Sequence, residues 1–202
     1  MNYQFPEFLR FILGKNILWQ KPTENKSIYL TFDDGPTPKV TPQLLDFLDV
    51  ENISATFFCV GQNVERYPEL FAEIQKRGHH VGNHTFNHLK CFKTDFNIYI
   101  DNVKKADKLI KSNLFRPPHG KISRRIARAL QTDFQIVMWD VITCDYDKSL
   151  SAEKILKNTI KYSRNGSIVV FHDSIKAQKN MFAILPDAIK YWKSKGYSFE
   201  IL

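Results

Sequence analysis

The sequence has little of several features that define specialised classes of protein. Its 8 glycines and 9 prolines in 202 residues are too few for a collagen-like or low-complexity chain. Its 3 cysteines, Cys59, Cys91 and Cys144, are far apart, which excludes a Cys-x-x-Cys motif and leaves at least one thiol unpaired. We therefore expect buried, unreactive thiols in an ordinary globular protein.

Long hydrophobic runs are also missing. No stretch approaches the roughly 18 uninterrupted apolar residues of a membrane-spanning helix, so no transmembrane segment is predicted. The apolar segment 5–19 is interrupted by charged residues and lacks a basic leader and a small-residue cleavage site, so a cleavable signal peptide is not predicted. We expect residues 1–26 to be an amphipathic extension, helical over 5–19 and packed on the domain, with contact to a membrane surface as the alternative. The default location is cytoplasmic or peripheral, and the oligomeric state stays open.

The chain is basic, but it contains no long basic run. Lys+Arg 29 against Asp+Glu 21 gives a net charge of +8, which favours anionic partners such as acidic glycans. The positive residues occur in pairs such as Lys104-Lys105, and no nucleic-acid-binding motif is present. Nucleic acid is therefore not expected as a partner.

Short apolar runs rich in β-branched and aromatic residues alternate with helical patterns along the chain. The runs predict about seven strands, at 28–32, 55–60, 80–82, 114–116, 136–141, 167–171 and 197–202. The helical patterns begin at Thr41 and at Pro68, and cover 96–110 and 182–195. This alternation predicts an α/β fold with parallel strands, and about seven units in one chain suit a TIM-barrel-like (β/α) barrel better than an open sheet.

Polar side chains follow several of these strands. In a (β/α) barrel the reactive groups lie at the carboxyl ends of the strands. The residues found there are Asp33, Asp34, His84, Arg116, Asp140, His172 and Asp173. The sequence therefore places titratable groups at the edge of the barrel where catalysis would occur.

Two of these positions suggest a metal site. His84 and His88 are spaced i, i+4, which on a helical turn brings both imidazoles within reach of one ion, and Asp34 supplies a third ligand. Asp33 then becomes the candidate base. The alternatives are a solvated Asp-Gly turn and two surface histidines on a helix.

Two further strand ends suggest groups that would act on a reacting carbonyl. Pro117 and Pro118 carry no N–H, so the first free backbone donor after Arg116 is that of His119, which could face an oxyanion. His172 ends a buried strand, where it could act as a general acid or be a satisfied core histidine. Trp139 is either a core residue or a wall of the substrate site.

Five segments in this order, 31–36, 84–88, 116–120, 139–146 and 170–172, resemble the motifs of the polysaccharide deacetylase family, which is carbohydrate esterase family four with its NodB-homology domain. The resemblance runs from about residue 28 to the end of the chain. It implies that residues 27–202 are a catalytic domain folded as a distorted (β/α) barrel. It also implies an enzyme that removes acetyl groups from N-acetylated or O-acetylated polysaccharides, such as peptidoglycan or chitin-like glycans.

The resemblance also implies a role for each site residue. Asp33 corresponds to the base and His172 to the acid, and Arg116 orients the base. The N–H of His119 corresponds to the oxyanion donor. The metal ligands are Asp34, His84 and His88, and they hold one divalent ion, Zn²⁺ by expectation, with Co²⁺ and Ni²⁺ as alternatives. Trp139, Val170 and Pro117 correspond to positions at the substrate.

The segment 139–146 departs from the family pattern, because an acid that many relatives carry is Ile142 here. An acid histidine usually needs a carboxylate partner, and Asp140 and Asp145 are the candidates. Strand periodicity places Asp140 on the same face as Ile142, whereas Asp145 reaches His172 only if its loop folds back, so we favour Asp140.

Two rival functions remain. A hydrolase of another C–N amide bond, such as a deformylase or a cyclic-amide hydrolase, could use the same groups on the same fold. A non-catalytic carbohydrate-binding domain is the second rival, although a pure binder needs neither a base nor an acid.

Overall fold

The computed structural model of the protein describes residues 3–4 and 17–202. Within them, one sheet contains nine strands. The strands are β1 (Ile17–Leu18), β2 (Ser27–Asp33), β3 (Thr56–Cys59), β4 (His80–Asn83), β5 (Leu114–Phe115), β6 (Gln135–Val137), β7 (Val141–Ile142), β8 (Ser167–His172) and β9 (Ser198–Phe199). Their order is β1-β6-β5-β4-β3-β2-β8-β7, and β9 pairs with β2.

Every pairing between two of these nine strands is parallel, as the alternating pattern predicts. The sheet curls into the distorted (β/α) barrel that the sequence analysis expected. All seven residues of β2 are buried, because helices cover one face of the strand and the barrel interior covers the other. Parallel strands bring their carboxyl ends to one edge, so the side chains that follow them meet there.

The helices of the described residues lie between the strands. They are α1 (Thr41–Glu51), α2 (Gly61–Arg66), α3 (Pro68–Lys76), α4 (Phe96–Ile110), α5 (Arg124–Leu130), α6 (Ala152–Tyr162) and α7 (Gln178–Ser194). Their starts follow local chemistry. The side chain of Asp95 accepts hydrogen bonds at the start of α4, and those of Ser123 and Ser151 do so for α5 and α6. A proline stands in the first turn of α1 and of α3, where its missing N–H costs no helical hydrogen bond.

Two predictions at the seam of the barrel are wrong. The run 136–141 is not one strand, because the chain exchanges partners within it: the N–H of Met138 donates to Leu18 of β1, and that of Asp140 donates to Ile168 of β8. The segment 5–19 is not helical to its end, since Ile17–Leu18 pairs in parallel with β6. The rest of that predicted helix lies outside the described residues. The boundary at residue 26 stays a prediction, although the sheet takes its first strand from before it.

The state of the three cysteines and the length of the helices were both considered in the sequence analysis. Cys59, Cys91 and Cys144 are all free and buried. No helix of the described residues is both long enough and apolar enough to cross a membrane.

Candidate active site

A cleft of about 620 Å³ opens at the carboxyl edge of the barrel. Seven of the predicted site residues line it: Asp33, Asp34, His84, His88, His119, Trp139 and His172. The strand ends therefore bring together, in one cavity, side chains that are separated by as much as two thirds of the chain.

The two histidines meet in a loop and not on the helical turn that their spacing suggests. Residues Thr85 and His88 both have positive φ, 65° and 58°, which turns the chain back so that the imidazole centroids of His84 and His88 lie 5.1 Å apart. Polar side chains hold this loop: Asn83 Oδ1 accepts the N–H of Thr85, and Thr85 Oγ1 accepts the N–H of Leu89.

Asp34 completes a three-residue cluster with these histidines. One ligand atom from each of Asp34, His84 and His88 lies within 4.8 Å of the others. Asp34 Oδ1 is 3.2 Å from Nε2 of His88 and 3.8 Å from Nε2 of His84. Burial acts to raise the pKa of Asp34, but the hydrogen bond from His88 and the charge of His172 hold that pKa well below its usual range. The carboxylate is therefore ionised, as a metal ligand requires.

The donor chemistry of the cluster fits a divalent metal ion. Nδ1 of His84 lies 2.7 Å from the carbonyl oxygen of Arg116, so Nδ1 carries the proton and Nε2 keeps its lone pair toward Asp34. Burial lowers the pKa of His84 to about 4, which keeps the ring neutral. Two imidazoles and one carboxylate with open positions are the ligand set of many catalytic metal sites.

Asp33 is held from behind by a buried arginine. Arg116 Nη1 donates to Asp33 Oδ1 and to Thr31 Oγ1, both at 2.7 Å, and Nη2 donates to the carbonyl of Met138 at 2.9 Å. The guanidinium also lies over the Phe58 ring, with Cζ 4.0 Å from its centroid. Burial lowers the pKa of Arg116, and the charge of Asp33 opposes that shift. The arginine thus fixes the Asp33 carboxylate at the wall of the cleft.

His172 is held by Asp145. The carboxylate accepts from the His172 ring at Nδ1, 2.7 Å from Oδ1, and from the His172 backbone N–H, 2.8 Å from Oδ2. Burial acts to lower the pKa of His172, but the charge and hydrogen bond of Asp145 raise it to about 9. The imidazole is therefore protonated near neutral pH, with Nε2 as the ring nitrogen left for a ligand in the cleft.

Our preference for Asp140 as the partner of His172 is wrong. The Asp140 carboxylate accepts from Arg164 Nε at 3.0 Å and Nη2 at 2.9 Å, and from Ser167 Oγ at 2.8 Å. Ser167 begins β8 and His172 ends it, so five residues, or roughly 16 Å of strand, separate the two ends. The Asp140 carboxylate therefore lies at the start of β8, at the opposite end of the strand from His172.

The loop after β5 places His119 beside the metal-ligand cluster. His119 has a positive φ of 61°, and its ring centroid is 4.6 Å from that of His88. Gly120 also has a positive φ, 62°, and a Cβ at this position would collide with the Trp139 ring. Glycine therefore lets the loop pack against Trp139, which is a wall of the cleft as well as part of the barrel.

Two predicted substrate contacts are not walls of this cleft. Val170 is fully buried within β8, where its carbonyl accepts from Thr143 Oγ1 at 2.9 Å. Pro117 is also buried. Among the described residues that line the cavity, neither appears.

Sequence reasoning overlooked several residues that complete the site. Thr31 shares the Arg116 guanidinium with Asp33, and its position two residues earlier on the same strand face could have identified it. The Tyr146 ring lies edge-on to His172 with centroids 4.9 Å apart. Lys121 and Lys176 also line the cleft, and nothing in their local sequence indicates this.

The chain is similar in sequence to known proteins. A match to the polysaccharide deacetylase family covers residues 20–137. A peptidoglycan-N-acetylglucosamine deacetylase of Bacillus cereus is 35% identical over 91% of this chain and 89% of its own length. A chitooligosaccharide deacetylase of Azorhizobium caulinodans is 30% identical over 86% of this chain and 82% of its own length.

A solved structure agrees with these relatives. The crystal structure of a peptidoglycan N-acetylglucosamine deacetylase in complex with an N-oxidanyl-benzamide superposes with a TM-score of 0.89 at 30% identity, covering 98% of this chain and 95% of that one. A barrel with this cleft and these relatives is a hydrolase that acts on C–N bonds other than peptide bonds. The chain belongs to the polysaccharide deacetylase family.

Proposed function

We propose that the protein is a metal-dependent deacetylase that hydrolyses the N-acetyl group of N-acetylglucosamine in peptidoglycan. The observation that carries this proposal is the meeting of three units in one cleft: the Asp34, His84 and His88 cluster, the Asp33 and Arg116 pair, and the His172 and Asp145 pair. The relatives named above support the substrate, because the similar Bacillus cereus protein carries that activity in its name.

Asp34, His84 and His88 would hold one divalent ion, with Zn²⁺ as our first candidate and Co²⁺ and Ni²⁺ as alternatives. When bound, such an ion lowers the pKa of its water toward about 7 and polarises a carbonyl oxygen. The ionised Asp34 and the neutral His84 are both ready to bind it without losing a proton first.

Asp33 is the proposed general base. Arg116 fixes one carboxylate oxygen, so the group cannot rotate away from the position where it would accept a proton from the attacking water. The guanidinium is itself held by Thr31 and Met138, which makes the base rigid. The N–H of His119 is the proposed donor to the developing oxyanion.

His172 is the proposed general acid. Asp145 accepts from Nδ1, so Nε2 is the atom that would give its proton to the leaving nitrogen of the sugar. Protonation of that nitrogen lets it leave as a neutral amine. Acetate and a glucosamine residue are the products.

Acetate release from three polymers tests the proposal. Purified protein is assayed on peptidoglycan, chitin oligomers and acetylxylan, after chelation and again after addition of Zn²⁺ or Co²⁺. We expect metal-dependent release from peptidoglycan, and an Asp33→Asn variant should lose roughly 10²- to 10⁴-fold in rate while keeping its bound metal. Release from acetylxylan alone, or release from none of them with metal bound, would contradict the proposed substrate.

A further inference from the structure

A second cavity of about 560 Å³ lies beside the catalytic cleft. Its walls are Lys90, Phe92, Lys93, the buried Cys91, and two residues that it shares with the cleft, His119 and Lys121. The two cavities therefore meet at the His119 loop. We call the surface formed by Lys90, Phe92, Lys93 and Lys121 the lysine groove.

The lysines of this groove are available for a ligand. Lys90, Lys93 and Lys121 are exposed, and none of them forms an ion pair with a carboxylate of the described residues. The acidic residue nearest to Lys93 in sequence, Asp95, instead accepts the N–H groups of Asn97 and Ile98 at the start of α4. Three lysines without an ion-pair partner among the described residues create a positive potential along the groove.

Phe92 gives the groove a second property. Its side chain is 68% exposed, and it is presented between Lys90 and Lys93 by the short 3₁₀ helix Cys91–Lys93. A single exposed hydrophobic residue is common on protein surfaces, but Phe92 lines the same cavity as Lys90, Lys93 and Lys121. A flat apolar ring flanked by cations is suited to a ligand that has both apolar C–H faces and negative charge, as an acidic sugar does.

The groove is close to the reacting centre. The His119 ring that separates the two cavities is 4.6 Å, between ring centroids, from His88 of the metal-ligand cluster. Because both cavities are lined by His119 and Lys121, a glycan that extends from the cluster past the His119 loop would reach the groove with its next sugar.

We propose that the lysine groove binds a carboxylate carried by the sugar next to the residue being deacetylated, so that the enzyme selects peptide-free acidic glycan strands over neutral glycans and over strands whose carboxyl groups are in amide linkage. The proposal rests on the proposed deacetylase function and names the substrate class of the same site. Phe92 packs on the face of the acidic sugar, and Lys90 and Lys93 pair with its carboxylate. Lys121 continues the positive surface into the cleft.

The test compares one oligosaccharide in two forms. A peptide-free oligomer of alternating N-acetylglucosamine and N-acetylmuramic acid is used with free carboxylates and with the same carboxylates converted to amides. We expect kcat/KM to be about three- to tenfold higher for the acid form, the size that two partly exposed ion pairs supply. The ratio should fall toward one as salt is raised, because exposed charges are screened.

A double variant and a matched control locate the effect. Lys90→Gln with Lys93→Gln should remove most of the acid-to-amide preference. Lys157→Gln with Lys190→Gln removes the same charge from exposed positions on α6 and α7, outside both cavities, and should keep the preference. The unfolding midpoints of both double variants are measured to verify that the fold is intact.

Three results would overturn the proposal. These are an unchanged ratio in the groove variant, an equal loss in the control variant, and a preference that appears only when an acidic peptide is attached to the glycan. Calorimetric binding of the acid and amide forms is measured in parallel. If neither form releases acetate, the proposed function fails, while the difference in binding still decides whether the groove recognises the carboxylate.

Discussion

Asp33 and His172 are register partners on the neighbouring parallel strands β2 and β8. Adjacent strands lie about 4.8 Å apart, so backbone hydrogen bonds, and not loops, set the separation of the proposed base and the proposed acid. Each is held by a charged residue from elsewhere in the barrel: Arg116 binds Asp33, and Asp145 binds His172. The pairing places a carboxylate and a protonated imidazole side by side in the cleft. The first can accept a proton and the second can donate one to the same substrate.

The first prediction concerns the support of His172. Replacing Asp145 by Asn removes the charge that raises the pKa of His172 to about 9. Since a general acid works only while protonated, the basic limb of the kcat/KM profile should move from near that value toward the pKa of a free imidazole, about 6.5. We expect an additional loss of about 10- to 100-fold in rate at neutral pH. A basic limb that stays in place would show that His172 is not the acid.

Asp140→Asn is the matched control for that experiment, and it should alter stability instead of the pH profile. The Asp140 carboxylate is fully buried and accepts from Arg164 and Ser167, far from His172. An amide cannot accept all of these bonds, and the Arg164 guanidinium loses its counter-charge. We expect the free energy of unfolding to fall by about 1–3 kcal/mol, measured by denaturant titration. A large shift of the basic limb in this variant would contradict the structural assignment.

The choice between Asp140 and Asp145 shows where sequence reasoning stops. The periodicity of a strand predicts the face on which a residue lies, but it does not show at which end of a neighbouring strand that residue lies. Asp145 reaches His172 because Cys144 has a positive φ of 61°, which folds the loop back over the barrel. The sequence does not signal this turn, because position 144 is a cysteine and glycine is the usual residue at such a φ.

The second prediction concerns the metal ligands. Loss of a residue that only hydrogen-bonds to a metal ligand lowers metal affinity by up to roughly 100-fold. His88→Ala removes one of the three ligands themselves, so the affinity for Zn²⁺ should fall by more than that. His119→Asn is the control, since its ring lies against His88 but is outside the cluster, and asparagine tolerates a positive φ. Metal titration by calorimetry should give one site per chain in wild type and in the control. Equal losses in the two variants would refute the assignment of ligands.

The metal cluster itself was predicted for a partly wrong reason. The i, i+4 spacing of His84 and His88 suggested a helical turn, whereas the two rings converge through a loop with left-handed residues at Thr85 and His88. The ends of the longer strands, in contrast, could be predicted from the sequence. Polar residues such as Asp33 and His172 directly follow apolar runs, and these residues lie at the carboxyl edge of the parallel sheet. Short strands such as β1, with two residues, carry too little pattern to be recognised.

The third prediction concerns the arginine behind the base. Arg116→Lys keeps the charge but cannot reproduce the bonds to Thr31, Asp33 and Met138, because an ammonium has no planar fork. The residue is fully buried, so we expect a loss of about 3–5 kcal/mol in the free energy of unfolding. Thr31→Val removes one acceptor from the same guanidinium and should cost only about 1–2 kcal/mol. Both values come from chemical unfolding, and a lysine variant as stable as wild type would refute the bonding role of Arg116.

The last prediction concerns Asp173, a fully buried carboxylate next to His172. Its Oδ2 accepts from Thr41 Oγ1 at 2.6 Å, whereas Oδ1 is buried without a hydrogen-bond partner among the described residues. Burial raises the pKa of Asp173 to about 7, against 3.8 for an ordinary aspartate, and the charge of Asp34 adds to the shift. The folded protein therefore keeps a proton on Asp173 at a pH where the unfolded chain has lost it.

The direction of the effect on stability follows from this difference. Between the unfolded pKa and the folded pKa the folded state binds more protons, so stability falls as pH rises from about 4 to about 7. Asp173→Asn is neutral throughout and should escape this loss. Its free energy of unfolding, relative to wild type, should increase by about 1–4 kcal/mol between pH 4.5 and pH 7.5 in metal-free protein. Asp133→Asn is the control, because this residue is exposed and its replacement should cause no such trend. If the stability of Asp173→Asn relative to wild type does not change with pH, Asp173 is already ionised in the folded barrel.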